Sequence, residues 1–349
     1  MIYVNARFLT QDVTGVQRFA QQICLALNAL RNDVVFLSPK NIKHHDVAEL
    51  LNVKIIGSST GHRWEQKDLP AYLATQGKPL LLNLGNTAPI FYRNKIVTHH
   101  DVTYKRYPQS YSWKFRLLYN VFVPLMLRNS KMLLTVSEFS KKELHETYGY
   151  PLDDIHVIYN AAGSIFCPKK NETLARDPYL LAVSSPNYHK NFHGLITAFN
   201  QWENRGKVRL KIIGAANANF NNVTPSLATT ENVEFTGRVS DEQLIELYSN
   251  ALAFVFPSFY EGFGIPPLEA QACGCPVISS NSASLPEVLG DSALYFSPDN
   301  TNDITACISR ITSDDSLRQQ LIQSGFNNIK RFSWAISANK INELINTHQ

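Results

Sequence analysis

The stretch AFVFPSFYEGFGIPPLEAQACGCPVISS, residues 253–280, decides how the chain is to be understood. The apolar run over 254–256 predicts a buried strand, a glycine-bearing loop follows, and residues 276–278 predict a second apolar strand. Between them Pro266 and Pro267 suit the first turn of a helix, where the missing N–H would have had no intrahelical partner. Gly262 and Gly264 stand just before that turn, so backbone N–H groups can approach a ligand without interference from a Cβ. A strand, a flexible turn and a helix N-terminus make a place for an anion such as phosphate. Glu261 and Glu269 bracket the turn with seven residues between them, and carboxylates accept hydrogen bonds from hydroxyls rather than bind phosphate. The stretch therefore suits a ligand carrying both phosphate and sugar. Its local alternative is a plain strand-to-helix connection, because glycines are common in such turns.

Working outward, apolar strands alternate with helical stretches. IYVNARF opens the chain, and Gly15 precedes a helix with Val16, Phe19, Ile23 and Leu27 near helical spacing. Further strands are expected over 34–39, 53–57, 80–86, 95–102, 132–137 and 153–162. A long helix is expected around 112–128, and SEFSKKELHETYG makes a helix that Ser137 or Ser140 can cap. The polar, proline-bounded segment 166–178 is the expected domain boundary. The pattern then restarts with strands over 179–185, 207–216, 232–240 and 293–298, a helix over 192–202, another at DEQLIELYSNA, and two helices to finish, the last over 332–349. Strand–helix alternation predicts parallel, doubly wound sheets, so the fold class is α/β with two Rossmann-like domains facing an interdomain cleft. Such sheets bind ligands beyond the carboxyl ends of their strands.

At 349 residues the chain is long for one core. Composition, 44% hydrophobic and 18% charged, fits a soluble globular protein, and no apolar run approaches the ~20 residues that span a bilayer. The first residues look like a strand rather than a signal peptide, which points to a cytoplasmic protein. Five scattered cysteines suit free thiols; the Cys273/Cys275 pair lacks partners for a metal site and is expected to be structural filling. Asn171 and Asn222 match glycosylation sequons by chance in that setting. The net charge of +4 hides an asymmetry, +9 over residues 1–170 and −5 over 171–349. Residues 91–142 hold ten basic and two acidic side chains, interleaved with Tyr104, Tyr107, Tyr111, Trp113, Phe115 and Tyr119. Basic plus aromatic suits nucleic acid or an anionic membrane surface, against the plain alternative of a solvated helical face. No nucleic-acid motif accompanies it.

Four loops at expected strand ends carry chemistry: TGVQR with Gly15, THHD with His100 and Asp101, SSPNYHKN with Lys190, and EGFG. Gathered in one cleft they would suit a nucleoside-diphosphate leaving group and a sugar. Taken singly, Lys190 could be a surface lysine, His100 a core histidine and Gly15 a turn glycine. There is no DxD triplet and no Walker loop, and Pro267 stands where a dinucleotide fingerprint has its third glycine. No cofactor and no metal are expected.

FVFPSFYEGFGIPPLEAQACGCPVISSNSASLPEVLGDSALYFSP closely resembles the C-terminal signature of retaining glycosyltransferase family 4 in the GT-B fold. VSSPNYHKN, FTGRVSDEQLIELYSNA, THHDVTYKRYP, LTVSEFSKKEL, VIYNA and TGVQR extend the resemblance over nearly the whole chain, nearest to mannosyltransferase-like enzymes of bacterial O-antigen or capsule assembly. It implies an acceptor-binding domain over 1–167, a nucleotide-sugar donor domain over 168–331, and a helix over 332–349 that crosses back onto the first domain. It implies that Glu261 and the backbone of Gly262, Phe263, Gly264 and Ile265 hold the donor sugar and diphosphate. Glu269 would take the ribose, Lys190 the diphosphate and Gly15 a phosphate from the first domain. His100 would lie by the transferred sugar, and Arg238 with Val239 beside the nucleobase. His100, Lys190 and Glu261 would be the catalytic residues. Many family members carry Gly-Arg where this chain has Ser184-Ser185; the arginine is also missing from the mannosyltransferase-like subgroup, and Ser185 is kept among the donor-binding positions. The implied activity is metal-independent retaining transfer to a lipid-linked saccharide, GDP-mannose being favoured over UDP- or dTDP-sugars such as glucose, N-acetylglucosamine or rhamnose. The other classes that fit the loops are a sugar-nucleotide epimerase and a non-catalytic nucleotide-sugar-binding partner of an assembly complex. Lys105, Arg106, Trp113, Lys114 and Arg116 would form an acceptor or membrane face, placing the chain peripherally on the inner face of the plasma membrane.

Overall fold

The apolar runs form two sheets in which every strand pairing is parallel. The computed structural model describes residues 1–169, 178–183, 185, 187–214 and 232–348. It divides into Met1–Asn160 with Ser333–Gln349 as one unit and Ala161–Phe332 as the other. The two sequons, Ser184 and the end of the strand expected over 207–216 lie outside the described residues.

In the first unit β1 (Ile2–Asn5), β2 (Val34–Ser38), β3 (Lys54–Ile55), β4 (Leu80–Asn83), β5 (Lys95–Thr98), β6 (Met132–Thr135) and β7 (Ile155–Val157) lie in the order β3-β2-β1-β4-β5-β6-β7. Every residue of β1, β4, β5 and β6 is buried, which is why these strands are continuous apolar runs rather than alternating ones. Lys95 is the one charged residue of these four strands and is satisfied by backbone: its Nζ donates to the carbonyls of Tyr92 at 2.7 Å, Ile90 at 3.2 Å and Asn129 at 3.4 Å. Burial pushes its pKa down to about 8. The helix Gly15–Leu30 turns Phe19, Ile23 and Leu27 inward, and the last helix, Trp334–His348, packs along it with Ala338, Ile341 and Ile345 buried. Arg31 fastens that pair, donating to the side chains of Asn342 and Asn346.

In the second unit β8 (Tyr179–Val183), β9 (Arg209–Ile213), β10 (Val233–Gly237), β11 (Ala253–Phe256), β12 (Val277–Ser280) and β13 (Ala293–Phe296) lie in the order β10-β9-β8-β11-β12-β13. The order reverses between β8 and β11, and in the first unit between β1 and β4. These are the switch points beyond which doubly wound sheets hold their ligands.

Among the details that differ from the sequence expectation, three have a clear place in the fold. The strand over 53–57 contracts to the two residues of β3, because Gly57 takes φ +72° and Asp68 accepts the N–H groups of Ser58 and Ser59 at 2.9 and 2.8 Å. Three helices, not two, close the chain: Asp314 accepts from the N–H of Leu317 at 2.9 Å and starts Asp315–Asn328 separately from Thr301–Ser313. The division between units falls after Asn160, and the Phe166 ring packs edge-on to Tyr248 of the second unit, centroids 6.3 Å apart.

Candidate functional site

The loops that follow β8 and β11 meet at the switch point of the second unit. The first ends in a short turn, Tyr188–Lys190, followed by Asn191 in the left-handed region at φ 54°. The Asn191 side chain is buried and donates to the carbonyls of Pro257 at 3.1 Å and Pro298 at 2.9 Å, while Phe259 N–H donates to the His189 carbonyl at 2.8 Å. These bonds fix the turn against the loop that leaves β11. Lys190 and Glu261, 71 residues apart in sequence, are thereby brought into contact: Nζ donates to Oε1 at 2.7 Å and Oε2 at 2.9 Å. Both side chains are mostly buried, 15% and 11% exposed, so the pair is only weakly screened by solvent. Ser258 Oγ adds a third hydrogen bond, to Glu261 Oε1 at 2.7 Å.

Gly264 closes the loop in the left-handed region at φ +96° and serves as the cap of the helix Ile265–Ala272, with prolines in its first turn. Ser284 donates to the carbonyls of Glu261 at 2.9 Å and Phe263 at 3.1 Å. Glu269 lies four residues into that helix, on the same face as Ile265, and both are buried. Ser185 is exposed and accepts from Asn187 at 3.0 Å. Arg238 is exposed and Val239 half-buried, directly after β10 and before the Ser240-capped helix Asp241–Asn250.

Gly15 and His100 belong to the first unit. Gly15 is exposed at the first position of its helix, where Gln17 Oε1 accepts from the Thr14 N–H at 3.2 Å. His100 follows β5, is buried, and sits edge-on to Phe19 with ring centroids 4.9 Å apart. Asn86 Oδ1 accepts from its backbone N–H at 2.9 Å, and its Nε2 lies 3.1 Å from the Leu84 carbonyl. A carbonyl only accepts, so Nε2 carries the proton and Nδ1 of the neutral ring is left as an acceptor. Burial holds the His100 pKa below its ordinary value.

Around the long helix Trp113–Arg128, Trp113, Lys114, Arg116 and Lys105 are exposed. Arg106 is committed elsewhere, donating to both carboxylate oxygens of Glu143 at 2.7 Å. Among the described residues no group of three or more His, Cys, Asp and Glu converges as metal ligands would.

Sequence reasoning passed over Ser258, Ser284, Asn191 and Asn86. Ser258 stands three residues before Glu261, a spacing that could have marked it; the others act across long loops. It also passed over a buried network in the first unit. There Glu65 accepts from Asn5 at 2.9 Å and Arg7 at 3.1 Å, and Arg7 donates to Thr87 at 2.8 Å.

Residues 13–162 match the family model Glycosyltransferase Family 4, and residues 166–328 match Glycosyl transferases group 1. The chain is 33% identical over 327 residues to the O-antigen chain mannosyltransferase RfbU of Salmonella typhimurium, covering 88% of the chain and 90% of that protein. It is 35% identical over 254 residues to the O-antigen chain mannosyltransferase B of Escherichia coli, covering 68% of the chain and 66% of that protein. Its fold is similar to the crystal structure of Anabaena HepE in complex with UDP-glucose, with a TM-score of 0.77, 16% identity and 99% of each chain covered.

Proposed function

The chain belongs to glycosyltransferase family 4, with the GT-B fold, and from that premise we propose that it moves a hexose, with retention, from a nucleoside diphosphate to a hydroxyl of a lipid-linked saccharide in surface-polysaccharide assembly. Mannose from GDP-mannose is the favoured donor, in keeping with the O-antigen mannosyltransferases it resembles over most of its length. UDP- or dTDP-sugars are the second reading, favoured by the UDP-glucose held by Anabaena HepE.

The observation that carries the reading is the Lys190–Glu261 pair at the β8/β11 switch point. A cation there faces the growing charge of a diphosphate leaving group, and a carboxylate there accepts from sugar hydroxyls. The bond between the anomeric carbon and the phosphate oxygen breaks, and its electron pair leaves with the diphosphate. The acceptor oxygen bonds to the same face of the anomeric carbon, and its proton passes to the departing phosphate oxygen, so no side-chain base is needed. Lys190 stabilises the diphosphate, Glu261 orients the sugar and Glu269 takes the ribose, with Ser185 and the 262–265 backbone about the phosphates and Arg238 and Val239 at the base. In the first unit, Gly15 leaves a backbone N–H open to a phosphate. His100, neutral and with Nδ1 as acceptor, positions a sugar hydroxyl. A metal ion has no assigned part. A non-catalytic nucleotide-sugar binder would use the same pair to hold a donor, and transfer is what separates the two readings.

The test is thermal unfolding with GDP-mannose and with UDP- and dTDP-sugars, followed by transfer of the stabilising sugar to a lipid-linked acceptor in excess chelator. A donor at 100-fold its dissociation constant should stabilise by ~2.7 kcal/mol. Stabilisation without transfer would favour the non-catalytic binder, and transfer that needs an added divalent ion would overturn metal independence.

A further inference from the structure

Lys190 and Glu261 satisfy each other, and that creates a conflict. The ammonium donates hydrogen bonds to both oxygens of one carboxylate, at 2.7 and 2.9 Å. A diphosphate needs that ammonium, while sugar hydroxyls need those carboxylate oxygens. If Lys190 turned to the phosphates with nothing else holding Glu261, a mostly buried carboxylate would lose its cation and its aim at once.

Ser258 supplies the second hold. Its Oγ donates to Glu261 Oε1 at 2.7 Å, and a serine hydroxyl has one proton to give. Ser258 is itself fixed from behind: it is fully buried two residues beyond β11, and its carbonyl accepts from Ser280 Oγ, at the end of β12, at 2.6 Å. Ser284, also fully buried, holds the Glu261 carbonyl at 2.9 Å and the Phe263 carbonyl at 3.1 Å. The main chain of the loop and one carboxylate oxygen are thus anchored by three serines independently of Lys190. Of these partners, the lysine can leave without moving the loop.

We propose that donor binding exchanges the partner of Lys190, from Glu261 to the diphosphate, and that Ser258 is the positioning residue that keeps Glu261 in place through the exchange. This rests on the donor site proposed above, and it separates two quantities that a simple contact list joins. Glu261 competes with the diphosphate for Lys190, so it opposes nucleotide binding while it serves sugar transfer. Ser258 holds the carboxylate rather than the lysine, so it serves transfer alone.

The experiment measures GDP binding, and UDP and dTDP in parallel, by calorimetry, together with kcat and KM for transfer from the donor that stabilises the chain. Glu261→Gln keeps the shape of the side chain and removes its charge. It should tighten diphosphate binding by about threefold or more, by freeing Lys190, while transfer nearly vanishes. Ser258→Ala should leave diphosphate binding within about twofold and lower kcat by roughly 10- to 100-fold, the effect of losing one hydrogen bond to a charged group. Ser258→Thr, which keeps the hydroxyl, should recover most of kcat. The calorimetric affinity of each variant shows that its site is folded. Weaker diphosphate binding by Glu261→Gln would make the pair a scaffold and overturn the exchange. An unchanged kcat in Ser258→Ala, or an equal loss of diphosphate affinity and kcat, would overturn the positioning role. A wild-type chain that binds none of GDP, UDP and dTDP would instead overturn the donor reading on which both depend.

Discussion

His99 and His100 are neighbours in sequence and differ in what their rings face. His100 Nε2 meets the Leu84 carbonyl, whereas His99 Nε2 lies 3.1 Å from the Tyr104 hydroxyl. Burial pushes the His99 pKa down to about 4, with Asp101 pulling it up and His100 down. A histidine held neutral in the fold takes up its proton more readily once unfolded. Stability is therefore complete above the unfolded pKa, about 6.5, and is lost as pH falls toward 4. Urea unfolding of the wild type should lose roughly 1–2 kcal/mol from this source between pH 6.5 and 5. His99→Gln should flatten that slope; curves that stay parallel from pH 7 to 5 would show that His99 does not set it. The sequence made His100 legible, because a polar pair ends an apolar run. It could not show the tautomer, which depends on a carbonyl 16 residues away. Glu65 was hidden for a similar reason. Its burial raises the pKa, but His62, Arg7, Thr87 and Asn5 outweigh burial and hold it at about 2; Arg7, which forms the ion pair, is 58 residues distant.

At the level of elements, the strands were legible as apolar runs because both faces of each sheet are covered. Their ends were not, since a strand stops where a turn captures the backbone, as Asp68 captures Ser58 and Ser59. The loop from Ser258 to Gly264 shows the other limit. GFG and the two prolines announced a turn before a helix, but the serines that hold it come from β12 and the segment beyond. Gly264 gives the loop its specific prediction. Its φ of +96° strains any L side chain, and an added Cβ would sit 2.8 Å from Leu285 Cδ2. Gly264→Ala should therefore destabilise by about 1–3 kcal/mol and weaken binding of the nucleoside diphosphate. Gly85→Ala is the control, because its φ is ordinary and a Cβ there meets nothing within 4 Å; it should stay within about 0.5 kcal/mol. Thermal unfolding and calorimetry of the two variants would decide the matter, and equal behaviour would remove the claim that backbone conformation shapes the site.

On the scale of the whole molecule, charge and apolar surface coincide in one region. Residues 1–170 carry +9, and no described helix is long and apolar enough to cross a membrane. The helix Trp113–Arg128 buries Val123, Met126 and Leu127 and leaves Trp113, Leu117, Val121 and Leu125 exposed at four-residue intervals, by 67%, 60%, 54% and 43%. That spacing makes one stripe along the helix. Lys114, Arg116 and Arg128 are exposed on the same helix, and Phe91, 89% exposed, adds a further aromatic side chain to the exposed surface of this unit. Composition made the cations legible, but the stripe emerged only when the fold showed which helical face is covered; Arg106, still exposed, is paired with Glu143. Apolar side chains flanked by cations match an interfacial helix lying on an anionic bilayer, the surface on which a lipid-linked acceptor would be met. Binding to vesicles containing phosphatidylglycerol is expected, with little binding to purely zwitterionic ones. Raising salt to about 1 M shortens the screening length to roughly 3 Å and should weaken attachment. Trp113→Ala combined with Leu117→Ala removes much of the stripe without touching the buried face, and should reduce vesicle binding by about tenfold or more while transfer to a soluble acceptor analogue persists. Attachment indifferent to lipid charge, salt and these substitutions would exclude a membrane role for the helix. Self-association in solution abolished by the same pair of substitutions would instead assign the stripe to a second copy of the chain, because a bilayer contact leaves the free protein monomeric.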